Sequence, residues 1–191
     1  MKTILHLESH RGLFDRLGAG VVFLSLLTTM AKAEPLTIIE NGEPRAVLVV
    51  ERDAVKKLID AGLVVITVGG GGIPVIEDQE GNLQGVAAVI DKDFASSLLA
   101  TSIGAELLLI STAVEKVGLD WQRPSQRLVD CMTVAEARQY TDEGHFAPGS
   151  MKPKIQACIQ FLENGGQKAI ITDPENIERA LAGETGTCMI P

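Results

Sequence analysis

Val64-Val65-Ile66-Thr67-Val68-Gly69-Gly70-Gly71-Gly72-Ile73-Pro74 is a run of apolar, mostly β-branched residues that ends in four glycines. The run predicts a strand buried on both faces, as in the middle of a parallel sheet. Glycines at its carboxyl end let the backbone turn sharply and take positive φ. They also leave main-chain N–H groups open to a ligand's phosphates. In open α/β sheets ligands sit beyond the carboxyl ends of the strands. A tight turn needs fewer than four consecutive glycines, so the stretch points to phosphate handling. No Gly-Lys-Ser/Thr follows, which excludes a Walker P-loop. Pro74 stands where a Rossmann fingerprint beginning at Gly69 would need its last Gly or Ala.

Outward from this stretch the chain reads as regular α/β. Before it, Val55, Leu58 and Ile59 share a helical face, with Gly62 placed as a C′ residue. After it, Ile76 to Ile90 carries polar turn residues, Asp78 to Asn82, between apolar flanks, and predicts a hairpin. Phe94, Leu98 and Leu99 mark a helix ending near Gly104, and Leu107 to Ile110 a second buried strand. Thr133-Val134-Ala135-Glu136 is a capping box. Ile155, Ile159 and Leu162 mark another helix closed by Gly165-Gly166. Ala169 to Ile171 is a third buried strand, and Asp173-Pro174 opens the last helix with Pro at its first position. Alternating strands and helices predict a largely parallel sheet covered by helices.

Residues 1–50 differ from this pattern. Lys2, Arg11 and Arg16 precede an apolar stretch, Gly18 to Met30, and then Ala31-Lys32-Ala33, the layout of a secretory signal. The alternatives are an ordinary or a poorly ordered helix there, because the leading segment is long and carries Glu8 and Asp15. The apolar stretch is short for a membrane span. Leu36 to Val50 holds two apolar runs around Asn41-Gly42, a strong hairpin cue.

Composition narrows the function. The 191 residues are 46% hydrophobic, enough for one sizeable core. A formal net charge of −8 without a dense basic run argues against nucleic acid and anionic membrane surfaces as partners. Few aromatics leave little for base stacking. Cys131, Cys158 and Cys188 are widely spaced, which suits a reducing compartment and neither a zinc site nor a disulfide framework.

Three stretches carry candidate chemistry. Asp91-Lys92-Asp93 opens the helix of Phe94 and Leu98; its acids suit capping and the helix dipole. Lys92 is less easily explained by capping, and a lysine beside a phosphate neutralises a transferring phosphoryl group. An acid there can hold neighbouring lysines in place. In Gly144 to Lys154, a loop of small residues leads straight into a helix. Lys154 falls in that helix's first turn, where the dipole disfavours a cation, so either an anion lies near or the lysine is a surface one. His145 reads as a loop hydrogen-bonder, with no partner in view that would make it a general base. Ser111 to Val117 follows the second buried strand, on the same sheet edge as the glycines if the strands are parallel.

Together these stretches bear a resemblance. Gly-Gly-Gly-Gly-Ile-Pro-Val at 69–75, Ala-Val-Ile-Asp-Lys-Asp at 88–93, Thr-Ala-Val-Glu-Lys-Val at 112–117 and Glu-Gly-His-Phe-Ala-Pro-Gly-Ser-Met at 143–151 resemble carbamate kinase, in order and in spacing. Gly-Glu-Thr-Gly-Thr at 183–187 is similar to that family's C-terminus. The resemblance runs from about residue 51 to the end. It implies an α/β fold of the amino-acid-kinase type, a three-layer αβα sandwich with a mainly parallel sheet. Residues 51–191 would then be the C-terminal nucleotide-binding portion and 1–50 an unrelated leader.

The resemblance further implies reversible phosphoryl transfer between ATP and carbamate, giving ADP and carbamoyl phosphate, with Mg²⁺ accompanying the nucleotide. Carried over, Lys92 and Lys154 contact the phosphates and Asp93 orients those lysines. Gly69, Gly70, Gly71 and Gly72 line the phosphate path. Thr112, Ala113, Val114 and Lys116, with His145 and Met151 of the 145–151 loop, enclose ADP. No protein metal cluster is expected. Its partners are small molecules, with a homodimer permitted. The expected location is cytoplasmic, or exported if residues 1–33 act as a signal. The family's Gly-Gly-Asn loop and its Thr-Lys-Pro lid do not occur in residues 1–50. The chain therefore reads as a fragment, a fusion or a truncated product, and either as a kinase or as a nucleotide-binding remnant of little turnover.

Overall fold

A computed structural model describes residues 36–40, 43–47, 49–77, 80–85 and 87–191. The signal-like segment and the Asn41-Gly42 turn lie outside the described residues. The two apolar runs around that turn form antiparallel strands, β1 (Leu36–Glu40) and β2 (Glu43–Val47), with Leu36 opposite Val47.

Helix α1 (Arg52–Asp60) follows, and Gly62 takes a φ of +79° just past its end, as its place in the sequence predicts. Val55 is buried, whereas Leu58 is exposed. The run after it departs from expectation. Residues 63–68 form no strand. Val64 is 59% and Ile66 86% exposed, while Val65 and Val68 pack on Val55, Leu99 and Ile103. A β-branched run becomes a strand only where neighbours take its N–H and C=O groups. Among the described residues no strand pairs with this one. Its ends are tied instead by Leu63 N donating to Leu58 O and Gly71 N to Val68 O.

The hairpin predicted after the glycines is present as β3 (Val75–Glu77) and β4 (Leu83–Gly85), antiparallel. Helix α2 (Lys92–Ile103) is capped by the Asp91 carboxylate, which accepts from Asp93 N at 2.8 Å, and ends at Gly104 in the left-handed region.

The main sheet is built from β5 (Leu107–Ser111), β8 (Cys131–Thr133), β9 (Lys168–Thr172) and β10 (Thr187–Ile190), in the order β5-β9-β10-β8. The pairs β5/β9 and β8/β10 are parallel, and β9/β10 is antiparallel, so the sheet is mixed. Between β5 and β8 runs a small hairpin, β6 (Val117–Leu119) and β7 (Arg127–Val129). Helix α3 (Val134–Asp142) begins with the predicted capping box, complete in both directions between Thr133 and Glu136. Helix α4 (Met151–Glu163) packs against α2, α3, β5 and β9. A 3₁₀ turn (Pro174–Asn176) capped by Asp173 leads into α5 (Ile177–Leu181).

The principal core lies between α4 and the sheet, where Leu108, Met132, Ile155, Phe161, Ile171 and Met189 are almost wholly buried. Fully burying each such side chain contributes about 1.5–3 kcal/mol. This core fixes the start of α4 and the carboxyl ends of β5 and β9, where the candidate residues stand.

Candidate active site

The candidate residues assemble in two groups. The first is centred on Asp93 and Lys154. Asp93 lies in the first turn of α2 and Lys154 in the first turn of α4, and the packing of these helices brings the two together across 61 positions of sequence. Lys154 Nζ donates to Asp93 Oδ2 at 2.8 Å, and both side chains are about nine-tenths buried. The anion that the dipole argument asks for near Lys154 is therefore a carboxylate of the protein itself. Lys92 Nζ stands 3.5 Å from the same Asp93 oxygen, but its side chain is 54% exposed. One buried acid thus faces two ammonium groups, one embedded and one at the surface. Lys152, two residues before Lys154, is half-buried.

The glycines join this group through the chain before α2. Gly72 forms an antiparallel bridge to Ile90. Gly71 has a φ of +113°, and a Cβ placed on it would lie 2.2 Å from the Ile90 carbonyl oxygen. Only glycine permits this approach. Gly69, Gly70 and Gly72 are exposed. Because 63–68 form no strand, the glycines do not stand at the end of a sheet strand as the sequence predicts. They are held by the Ile90 segment, two residues from Lys92. Val68, just before them, has a φ of +46°, a costly conformation for a β-branched residue.

The second group gathers at the carboxyl ends of β5 and β9. Thr112 N donates to Thr172 O at 2.8 Å. Ala113 is exposed and Val114 half-buried. Lys116 Nζ donates to Asp130 Oδ1 at 2.5 Å. The Glu115 carboxylate accepts from the Thr185 hydroxyl and lies 3.8 Å from Arg179. The buried Thr187 hydroxyl accepts from Val117 N and donates to Val129 O. The Glu115–Thr185 and Val117–Thr187 contacts clamp residues 115–117 against 185–187.

His145 links this region to the loop that enters α4. Its Nδ1 is 3.1 Å from Asp120 Oδ1 and its Nε2 is 3.1 Å from Glu143 Oε2. The Ser125 hydroxyl, and then His145, hold Asp120 below the usual carboxylate range. Gln139, and then His145, do the same for Glu143. The sequence reading of His145 as a loop hydrogen-bonder agrees with this, and the two acids are the partners it lacked. Phe146 and Met151 pack into the principal core and anchor the loop at both ends.

Sequence reasoning missed Asp120, Asp130, Glu143 and Arg179. Their partners among the candidate stretches, His145, Lys116 and Glu115, lie two to 64 positions away, and no periodic pattern links the two ends.

Electrostatically, the arrangement offers two lysines oriented by one acid, beside a glycine turn in which Gly69, Gly70 and Gly72 are exposed. That is a device for stabilising a transferring anionic group by position and charge. A profile of the amino acid kinase family matches residues 15–173. The chain belongs to the amino acid kinase family. Among its relatives, the carbamate kinase-like protein YahI of Escherichia coli is 49% identical over 153 residues, 80% of this chain and 48% of that protein. The carbamate kinase of Clostridium perfringens is 47% identical over 148 residues, 77% of this chain and 47% of that one. The structure of carbamate kinase from Giardia lamblia bound to AMP-PNP superposes with a TM-score of 0.73 at 35% identity, covering 82% of this chain and 52% of the other. The chain spans about half the length of the curated relatives it matches. The amino-acid-kinase fold and the likeness to carbamate kinases read from the motifs are both borne out.

Proposed function

We propose that the chain is the nucleotide-binding portion of a carbamate-kinase-like phosphotransferase, acting on ATP and carbamate to give ADP and carbamoyl phosphate, and in reverse. The observation that carries this is the buried Asp93–Lys154 pair with Lys92 beside it, next to a turn that only glycine can make. A lysine held this rigidly presents its charge without reorganisation when a phosphoryl group arrives.

In this reading Lys154 and Lys92 bind the phosphates around the transferring group, and Asp93 positions both ammonium groups. Gly69 to Gly72 line the phosphate path, and their turn brings the chain to Ile90, two residues from Lys92. Thr112, Ala113, Val114 and Lys116 wall the nucleotide from the sheet side, while the loop from His145 to Met151 closes the other. Mg²⁺ would accompany the nucleotide and offset phosphate charge. The described residues contain no group of three or more His, Cys, Asp or Glu able to hold a metal. An ion brought by a nucleotide is held chiefly by phosphates and water. There is little covalent chemistry for the side chains to perform, so positioning and charge stabilisation carry the rate.

Calorimetry with MgADP tests the reading, with Lys154→Ala and Lys152→Ala compared. A charge-assisted phosphate contact is worth about 1.5–3 kcal/mol, so Lys154→Ala should weaken binding roughly ten- to a hundredfold and Lys152→Ala far less. Absence of both heat and thermal stabilisation at saturating nucleotide would refute the proposal. Equal effects from the two substitutions would mean that the phosphates bind elsewhere. Coupled ATP formation from MgADP and carbamoyl phosphate, with Lys92→Ala as control, tests the chemical step.

A further inference from the structure

Strands β8 and β10 run parallel with Cys188 opposite Cys131 and Met189 opposite Met132. Met132 and Met189 point into the core, 2% and 0% exposed. Successive side chains of a strand alternate between faces, so Cys131 and Cys188 share the opposite, outer face. Cys131 is exposed and Cys188 half-buried, on the edge strand and its neighbour. Neighbouring strands lie about 4.8 Å apart, inside the Cα separation of roughly 4.4–6.8 Å that a disulfide spans. The third cysteine, Cys158, is fully buried in α4 and cannot compete.

We propose that Cys131 and Cys188 are a reactive dithiol that closes to a disulfide across β8 and β10 when the folded chain meets a peroxide. Cys131, the more accessible sulfur, attacks one peroxide oxygen. The O–O bond breaks, water leaves with the thiol proton, and Cys131 becomes a sulfenic acid. The Cys188 sulfur then attacks the Cys131 sulfur, the S–O bond breaks, and a second water leaves with the Cys188 proton. Two thiols lose two electrons and two protons, and one hydrogen peroxide becomes two waters. Burial first, and then the thiol hydrogen bond with Cys131, push Cys188 up to about 11. This suits Cys188 to the resolving rather than the attacking role.

The pair occupies a consequential place. Asp130, just before Cys131, holds Lys116, and Thr187, just before Cys188, holds Val117. A bond between the two cysteines would therefore join the two strands that anchor residues 116–117.

The test treats the full chain, folded and in the absence of denaturant, with a few equivalents of hydrogen peroxide and reads intact mass and tryptic peptides. The three cysteines fall on three different tryptic peptides, so the linkage is unambiguous. Expected is a mass lower by two hydrogen atoms, with the Cys131 and Cys188 peptides joined and released again by dithiothreitol. The link should vanish in Cys131→Ser and Cys188→Ser and persist in Cys158→Ala. Because a variant can misfold, unmodified chain is also titrated with phenylarsine oxide, which needs two neighbouring thiols. One equivalent should block both cysteines. Oxygen atoms retained on Cys131 with Cys188 free, a link between two chains, a link to Cys158, or no blocking at one equivalent would overturn the proposal.

Discussion

Asp93 and Lys154 set a stability question as well as a functional one. Two charges taken out of water together cost several kcal/mol in desolvation, repaid only by close geometry. Their 2.8 Å contact supplies that geometry. Removing one partner strands the other, at about 3–5 kcal/mol. We therefore expect Asp93→Leu and Lys154→Met each to lower stability strongly in urea unfolding, and the Asp93→Leu/Lys154→Met pair to lose clearly less than the sum of its single substitutions. Additive losses would show that the contact is incidental and that each residue is held by other neighbours. The distinction matters for function, because a lysine retained at a net cost in the core is retained for its charge. Neither half of the pair is informative in isolation in the sequence. Asp93 suits either a cap or a hold on neighbouring lysines, Lys154 either a nearby anion or the surface, and only the family resemblance ties the two; the contact spans 61 positions and exists only once α2 and α4 pack.

Among the elements, legibility followed how far each depends on distant partners. The capping box at Thr133 and Glu136, Gly62 and Gly104 past their helices, and Pro174 after Asp173 are local devices, and each stands where its residues predict. Val64 to Val68 depends on neighbours, so its apolar, β-branched composition alone misleads. Strand β10 was invisible because four residues after a Gly-Glu-Thr-Gly turn carry too short a pattern.

Two predictions belong to this scale. Alanine at Gly71 must push its Cβ against the Ile90 oxygen at positive φ, whereas at Gly70 it meets nothing within 4 Å. Strain of this kind costs about 1–3 kcal/mol. Amide exchange at the Gly72–Ile90 bridge should rise roughly ten- to a hundredfold in Gly71→Ala and little in Gly70→Ala; similar rates would show that the turn is not constrained. At α3, the Thr133 backbone N–H, and then its hydroxyl, hold Glu136 below its ordinary value of 4.5. A carboxylate lowered on folding adds stability above its unfolded pKa and loses it as pH falls through the folded one. The melting-temperature gap between the chain and Glu136→Gln should therefore shrink on acidification below the ordinary glutamate range. A gap independent of pH would remove the charge from the explanation.

At the scale of the molecule, the described residues divide by how densely they are packed. From α2 onward, helices α2 and α4 bury β9 and the sheet around a continuous core. Residues 49–90 rest on it through a smaller cluster of Val49, Val55, Ile59, Val65 and Val68 against Leu99 and Ile103. Over the same span Leu63, Val64, Ile66, Ile73, Leu83 and Val89 are exposed. Opening free energy scales with the contacts that must be broken, so segments with few buried neighbours and few paired amides open below the global transition. Beyond helix α1 and its flanking turns, the paired amides described in this span lie in short bridges and three-residue strands. The glycine turn and Ile90 belong to this weaker layer, while Asp93 and Lys154 belong to the stronger one, so the candidate site straddles the boundary. Such a boundary lets a bound phosphate order the weaker layer on the stronger. Thermolysin, which cuts before large apolar residues, should therefore attack first between residues 63 and 90 under native conditions. It should leave a resistant fragment that begins near Ile90 and retains α2 to β10. Saturating MgADP should slow these cuts, as a ligand bound only to the closed form must. Initial cleavage within α4 or β9 would show that the layers open as one unit and that the boundary drawn at α2 is wrong.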